Sequence, residues 1–537
     1  MGWADEGMPR DIRAYHRRTK HAAHRYALGP AFLDWTSQPT PFRRFDGVRT
    51  VPLPLSLERP TPPFGDLARL DGVAAEPLGD AAIGLFLELA LGISAWKAVD
   101  GAQWAVRNNP SSGNLHPTEG YVILPPLDGI GDGPALYHYA PADHALEERC
   151  RLERFPTLPA GGFIVGLSSV AWREAWKYGE RAFRYCQHDV GHAVGALSYA
   201  AACLGWRMTV QARPGDAAVG RVLGLDRADA WHRHEQEHPD LLAVVAPEPV
   251  EAVALGGLSG DWTGTANRLS EDHDPWPAVE LAARYSYKTD NPPIPADDVA
   301  VSAPDLPAAD TPAAAVIRRR RSAVRMDGRT PLDRTAFFRI LSATLPDRTV
   351  IPWSGFSWPP RLALFLFVHR VTGVEPGLYA LIRDPASLDR LRAACDPSFL
   401  WQPVEECPLP LFLLRAEAVE RNAAQLSCLQ AIAGKGAFSL GMAADFDRTL
   451  RDEGDWAYRR LFWEAGLVGQ VLYVEATAAG MSGTGLGCFF DDGVHDLLGL
   501  TAETQESMAW QSLYHFTVGT ALEDERVLTL PAYPAER

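Results

Sequence analysis

The chain has 537 residues, 47% apolar and 22% charged, the balance of a soluble globular protein long enough for two to four domains. Its 67 acidic residues outnumber 51 basic ones, and a formal charge of −16 argues against non-specific nucleic-acid binding and against docking on an anionic membrane. Seven cysteines (150, 186, 203, 395, 407, 428 and 488) form no C-x-x-C or zinc spacing and read as reduced thiols of a cytoplasmic protein.

Met1–Thr19 is polar and lacks the apolar stretch of a secretion signal. No run of about 18 uncharged apolar residues follows anywhere, so no membrane span is expected. The first segment of chemical interest is Pro110-Ser111-Ser112-Gly113-Asn114, a turn of small polar side chains ahead of the strand-like run Tyr121–Leu124. Asn114 offers the donor and acceptor that the edge of a planar heterocycle requires, although ordinary turn chemistry uses the same residues. Lys177 and Tyr178 come next. They can serve as base and acid if burial lowers the lysine, or stand as a surface lysine beside a packed tyrosine.

Tyr178–Gly205 reads as a polar helical turn followed by a long apolar helix ending at a glycine cap. Within it, His188 and His192 have the spacing of a zinc pair, but residue 189 is Asp and no third ligand suggests itself, so no metal is expected. Shifted by 275 residues, Glu453–Gly480 repeats the pattern: Gly179 falls on Gly454, Arg184 on Arg459, Gly191 on Gly466 and Gly205 on Gly480. Such helices, apolar all round, belong at the centre of a core. A second echo, offset by 242, sets Pro110–Pro117 (PSSGNLHP) on Pro352–Pro359 (PWSGFSWP), ahead of the strand-like run Leu364–Val368. Two echoes in the same order point to a duplication. The expected halves are 1–285 and 316–537, joined by a Pro-, Asp- and Ala-rich linker over 286–315.

The second half opens on four adjacent arginines, Arg318–Arg321, then Ser322 and Arg325. Adjacent arginines repel unless an anion sits among them, and guanidinium forks suit phosphate; a solvated basic cluster is the other reading. Gly483-Thr484-Gly485-Leu486-Gly487 follows the second apolar helix. It cannot be a dinucleotide fingerprint, because a helix precedes it where a strand is needed. Its glycines would let backbone N–H groups approach a flat ligand.

Together these motifs resemble the FMN-dependent nitroreductase superfamily, in its SagB/ThcOx-type dehydrogenase branch, with two such domains fused. The resemblance implies an α+β fold, two tandem nitroreductase-like domains forming an intramolecular pseudo-dimer, with FMN as cofactor. By resemblance, Arg320, Arg321 and Ser322, helped by Arg325, hold the FMN phosphate and ribityl chain. Pro110, Ser111, Ser112 and Asn114 touch the flavin from the other copy, and Gly485, Leu486, Gly487 and Cys488 lie by its N5 edge. His515 and Arg526 are further candidates for the phosphate. Lys177 and Tyr178 match the catalytic pair of azoline-oxidising members.

The first copy thus keeps PSSGN and Lys-Tyr, and the second keeps Arg-Arg-Ser and the glycines, which makes one complete site. The reciprocal site, with Trp353, Phe356, Asp452, Glu453 and Arg17-Arg18-Thr19-Lys20, is expected to bind no flavin. The implied reaction is hydride transfer between substrate and flavin N5. The substrate is a small molecule or an azoline ring of a modified peptide, delivered by a partner protein. Two alternatives stand beside it: an NAD(P)H-dependent nitro or quinone reductase, and a non-catalytic scaffold.

Overall fold

The computed structural model describes residues 7–69, 72–255, 258–295, 301–304, 306–307, 309–500 and 508–533. Parts of the linker expected over 286–315 therefore lie outside the described residues.

In the first half, strands β1 (Thr118–Leu124), β2 (Ala135–Ala140), β3 (Ala145–Leu152) and β4 (Phe163–Ser169) precede α1 (Ala171–Tyr178) and α2 (Ala182–Cys203), then β5 (Arg207–Val210) and β6 (His238–Ala246). α3 (Ala313–Arg319) opens the second half. Strands β7 (Leu362–Val368), β8 (Gly377–Leu381), β9 (Leu411–Arg415) and β10 (Phe438–Asp445) follow, then α4 (Phe446–Glu453), α5 (Ala457–Ala478), β11 (Ser482–Leu486) and β12 (Trp510–Gly519).

Each half builds one antiparallel sheet. The first runs β3-β2-β1-β4-β6-β5 and the second β9-β8-β7-β10-β12-β11, the same order strand for strand; short edge strands extend each beyond β3 and β9. β1 and β7 are buried along their whole length, so they read as continuous apolar runs (TEGYVIL, LALFLFV) rather than alternating ones.

α2 and α5 are the repeated apolar helices, and all 22 residues of α2 are buried. Each ends in a Schellman cap: Trp206 N donates to Ala201 O (2.9 Å) and Gly205 N to Ala202 O (3.0 Å), and Met481 N donates to Ala476 O (2.8 Å) and Gly480 N to Thr477 O (3.1 Å). Gly205 and Gly480 supply the left-handed residue at φ 67° and 74°. The two helices cross at the glycine pair that the repeat had aligned. A Cβ on Gly191 would lie 2.8 Å from Gly466 Cα, and one on Gly466 would lie 2.9 Å from Gly191 Cα. The side overlaps are reciprocal as well, Gly191 against the Trp463 carbonyl and Gly466 against the His188 carbonyl, as a two-fold axis demands.

The halves share one core. A single apolar cluster contains Phe86, Val190 and Leu197 of the first half together with Leu461, Val468 and Leu472 of the second. They also exchange ends. Near the C-terminus, Leu528–Leu530 joins the hairpin Ile93–Val99/Ala102–Arg107 of the first half, and Tyr533 Oη donates to Pro141 O (3.0 Å). Near the N-terminus, Arg13 bonds Asp447 (3.2 Å) and His21 N donates to Asp491 Oδ2 (2.9 Å). The described linker residues lie along both halves, with Asp290 accepting from Gly215 N (2.7 Å) and Asp347 from Ala303 N (2.8 Å). No helix among the described residues is long and apolar enough to cross a membrane.

One sequence reading needs correction. Cys428 and Cys488 form a disulfide, with Cα atoms 5.8 Å apart, while Cys150, Cys186, Cys203, Cys395 and Cys407 are free. Sixty residues separate the pair, so no local spacing announces it; tertiary packing of the turn at Ser427 on the segment after β11 does.

Candidate active site

The hairpin Ile93–Val99/Ala102–Arg107 delivers the PSSGN loop to the boundary between the halves. Gly113 turns there with φ 61°, and a Cβ on it would meet Tyr178 Oη at 2.6 Å and Lys177 Nζ at 3.1 Å. A glycine is required on both counts. The loop and the Lys-Tyr pair are thus packed against each other. The pair closes α1 instead of opening the following helix, because Gly179 (φ 55°) breaks the chain between α1 and α2.

Opposite stands the second half. After α3 the chain lays Ser322 beside Gly483 in a parallel bridge, Ala323 N donates to Gly483 O (3.1 Å), and Thr484 Oγ1 donates to Ala323 O (2.6 Å). Tyr473 of α5 ties the two together: its hydroxyl meets Ser322 Oγ (2.8 Å) and accepts from Gly485 N (2.9 Å). Arg320, 3% exposed, reaches across to the first half, with Nε on Asn108 O (3.0 Å) and Nη2 on Arg107 O (2.7 Å), and its guanidinium covers the Tyr473 ring at 5.0 Å. Burial lowers this arginine to about 10, which leaves it a cation at neutral pH. Arg321 donates to Arg318 O, Arg320 O and Ser94 O.

Between these walls lies a cavity of about 560 Å³. Pro110, Ser111, Ser112, Asn114 and Tyr178 line it from the first half; Arg320, Arg321, Ser322, Arg325 and the run Gly485, Leu486, Gly487 and Cys488 line it from the second. Lys177 is not on the lining; its ammonium stands against Gly113, 5.4 Å from the Tyr178 ring centre.

Two phosphate candidates are not on this lining. Arg526 is exposed and engaged with Asp524 (2.7 Å), because the chain beyond β12 runs out over the rim instead of inward. His515 is buried in β12, bonded to Ser427 Oγ (3.0 Å) and stacked on Phe489 at 4.5 Å, and burial lowers it to about 3.

Several lining residues were not singled out from the sequence: Asp189 and Tyr185 on α2, Tyr473 on α5, Tyr514 on β12 and Gln430; His192 of α2, weighed there only as a metal ligand, lines it too. Asp189 was legible in principle, as an acid inside an otherwise apolar helix. It accepts from Ser112 N (3.2 Å) and Ser112 Oγ (3.4 Å), and burial pushes its carboxyl up to about 7. Glu174 of α1 stands next to it, accepting from Ser111 Oγ (3.5 Å); burial, then the charge of Asp189, holds it well above the usual carboxylate range. The histidine pair binds protein: His188 meets Leu513 O (3.1 Å), and His192 meets Gln470 (3.3 Å) and Tyr514 (3.0 Å).

The donor set fits an anionic, flat cofactor. Arg320 Nη1 is buried on this lining with no protein partner. On β11 a Cβ on Gly485 would overlap the Tyr514 hydroxyl, so that wall stays thin and its backbone accessible. Lys97, Arg321 and Arg325 add positive charge at the same cavity.

At the symmetry-related position the cleft is filled. The Pro352–Pro359 loop buries Trp353, Phe356 and Trp358 at 1–2% exposure and packs Gly355 directly on the Met208 carbonyl of β5. Arg348 donates to the carbonyls of Trp353, Phe356 and Trp358. Asp452 and Glu453 are bonded to Arg361, and Glu453 also to Arg460 (2.7 Å). The segment Arg17–Lys20, expected to complete this second site, reaches elsewhere: Arg18 holds Glu180 (2.7 Å) and Lys20 holds Asp492 (3.1 Å), because its helix packs at the start of the long helices.

Comparison with known proteins agrees with this architecture. Residues 386–520, within the second half, match the model of the nitroreductase family. A curated protein of Methanocaldococcus jannaschii, provisionally named a nitroreductase, is 26% identical over 148 residues, 28% of this chain. The chain spans 62% of that relative's length. A crystal structure from Anabaena variabilis, also provisionally named a nitroreductase, superposes with a TM-score of 0.65 at 20% identity, covering 95% of this chain and all of that one. The α+β nitroreductase fold therefore extends along nearly the whole chain.

Proposed function

We propose that the chain is an FMN-dependent oxidoreductase whose two halves, 1–285 and 316–537, act as an intramolecular pseudo-dimer with one flavin site. The observation that carries this reading is the shared cavity, lined by the PSSGN loop of the first half and by the basic turn and glycine strand of the second. Bound there, FMN supplies two-electron hydride chemistry that no side chain provides. The unpartnered Arg320 Nη1 and the guanidinium groups of Arg321 and Arg325 hold its negative charge, with Ser322 as a hydroxyl donor. The Gly485–Cys488 backbone and Asn114 orient the ring from opposite halves. Burial keeps the Tyr178 hydroxyl protonated at neutral pH, so it acts as a donor toward the substrate, with the Lys177 amine behind the loop 5.4 Å from its ring centre. On the resemblance of the Lys-Tyr pair, the reaction is a SagB/ThcOx-type dehydrogenation, and the substrate an azoline of a modified peptide brought by a partner protein.

The test is the absorbance spectrum of the pure protein with flavin stoichiometry. One FMN per chain is expected. Arg320→Ala, in the second half, and Asn114→Ala, in the first, should each weaken the same single site; loss of a charged hydrogen bond, about 1.5–3 kcal/mol, is roughly a 10- to 150-fold weaker Kd for the arginine. Two FMN per chain, or none, refutes the split site. Rapid bleaching of the bound flavin by NADPH would assign the reductase direction instead.

A further inference from the structure

We propose that Glu174 and Asp189 form a carboxyl pair in the wall of the cleft, in which Glu174 stores one proton and Asp189 is the catalytic residue that takes a proton from the substrate. This rests on the oxidoreductase reading above. Both acids are buried, at 0% and 2% exposure, and they grip adjacent residues of one loop, Ser111 by Glu174 and Ser112 by Asp189. Glu174 Oε2 is buried without a hydrogen-bond partner, and Asp189 lies on the cavity lining. A dry wall cannot hold two neighbouring carboxylates both ionised.

The groups facing the pair do little to offset its charge. From α1 come Lys177 and Arg173, and Arg173 is already bonded to Glu119. Tyr178 of α1, Tyr185 and Cys186 of α2 and Tyr514 of β12 are all raised by burial and so hold their protons. In the loop, burial keeps His116 neutral, as it does His192 on α2.

The filled half shows the contrasting arrangement. There the repeat sets Glu464 opposite Asp189 and Glu453 opposite Tyr178. Glu464 accepts from Arg361 N (3.0 Å), from Arg383 and from Arg460 Nη1 (3.5 Å); Glu453 takes Arg460 in a fork at 2.7 Å. The open half has Tyr185 in place of Arg460 and Glu174 in place of Thr449. It keeps two acids, the second now Glu174 instead of Glu453, but has lost the arginine that neutralised them, and what remains to balance the charge is a proton. Burial raises both acids, Asp189 to about 7 and Glu174 well above the usual carboxylate range.

In a two-electron dehydrogenation the substrate loses a hydride and a proton. The C–H bond breaks with both electrons leaving as hydride to the flavin. The N–H or O–H bond breaks with its electrons staying to form the new double bond, and its proton bonds to an Asp189 carboxylate oxygen. Glu174 keeps the stored proton throughout, and Asp189 afterwards releases its own to water at the cleft mouth.

The experiment is infrared spectroscopy of the full chain across pH, with and without FMN, on wild type, Asp189→Asn and Glu174→Gln. A protonated-carboxyl band at pH 6 that shrinks toward pH 9 is expected, and Asp189→Asn should lose its pH-dependent part. Flavin reduction or reoxidation in Asp189→Asn should slow by about 10²- to 10⁴-fold and lose its pH dependence near 7, whereas Lys177→Met keeps that dependence. Wild type without the band, with FMN bound, overturns the pair and leaves the flavin reading standing. The band without FMN binding overturns the flavin reading alone. Asn at 189 keeps an acceptor for Ser112, and the wild-type spectrum decides the matter if the variant does not fold.

Discussion

Gly191→Ala tests the pseudo-dimer at its axis. The added Cβ would overlap the Trp463 carbonyl oxygen and lie 2.8 Å from Gly466 Cα and 2.9 Å from Leu467 N, against an ordinary carbon contact of about 3.5–4.0 Å. α2 and α5 must part by about 1 Å, and backbone on both sides leaves no side chain that could give way. Overpacking of this kind costs about 1–3 kcal/mol, of which the helix-propensity gain of alanine over glycine, about 1 kcal/mol, offsets only a part. Gly220 is the internal control: it sits in the helix Asp216–Leu223 with nothing within 4 Å of its Cβ position, so Gly220→Ala should gain up to about 1 kcal/mol. Urea midpoints of the two variants should therefore move in opposite directions from wild type. Parting the helices also strains His192–Tyr514 (3.0 Å) and Gln187–Trp463 (2.7 Å), and His192 and Tyr514 both line the cleft, so Gly191→Ala should weaken FMN binding as well. A Gly191→Ala midpoint at or above that of wild type, with Gly220→Ala stabilised as expected, would refute the close glycine crossing.

Lys288, 3% exposed, lies 4.9 Å from the Trp456 ring centre and 5.8 Å from that of Trp358, and burial, then Arg459, lowers it from the usual 10.5 to about 7. Between those values the unfolded chain carries a proton that the folded chain has released, so stability rises with pH by up to about 1.4 kcal/mol per unit. Urea midpoints from pH 7 to 10 should show this slope flattened in Lys288→Met; an unchanged slope excludes Lys288 as its source. Alkylation of the denatured, unreduced protein should label five cysteines, and seven after reduction. Seven without reduction would rule out the Cys428–Cys488 bond.

The repeat was readable because its strongest marks are local. A glycine cap, a largely apolar helix of 22 residues and a small-residue turn are each dictated by backbone sterics or burial within a short window, and they recur at fixed offsets. From them follow the two copies of one strand order and the assignment of complementary motifs to opposite halves. Other features depended on groups far apart in sequence meeting in space. Nothing along the chain says that Arg526 turns outward to Asp524, that Arg17–Lys20 packs at the start of the long helices, or that Cys428 finds Cys488. Glu174 and Asp189 are unremarkable acids until folding removes water and leaves them without a matching arginine, since a charge costs little in solvent and much inside a wall. The sequence determined where the helices, strands and candidate loops lie. The tertiary structure decided which of two equivalent clefts stays open, because only packing sets the Trp353–Trp358 loop on β5 in one half and leaves the PSSGN loop standing off β11 in the other.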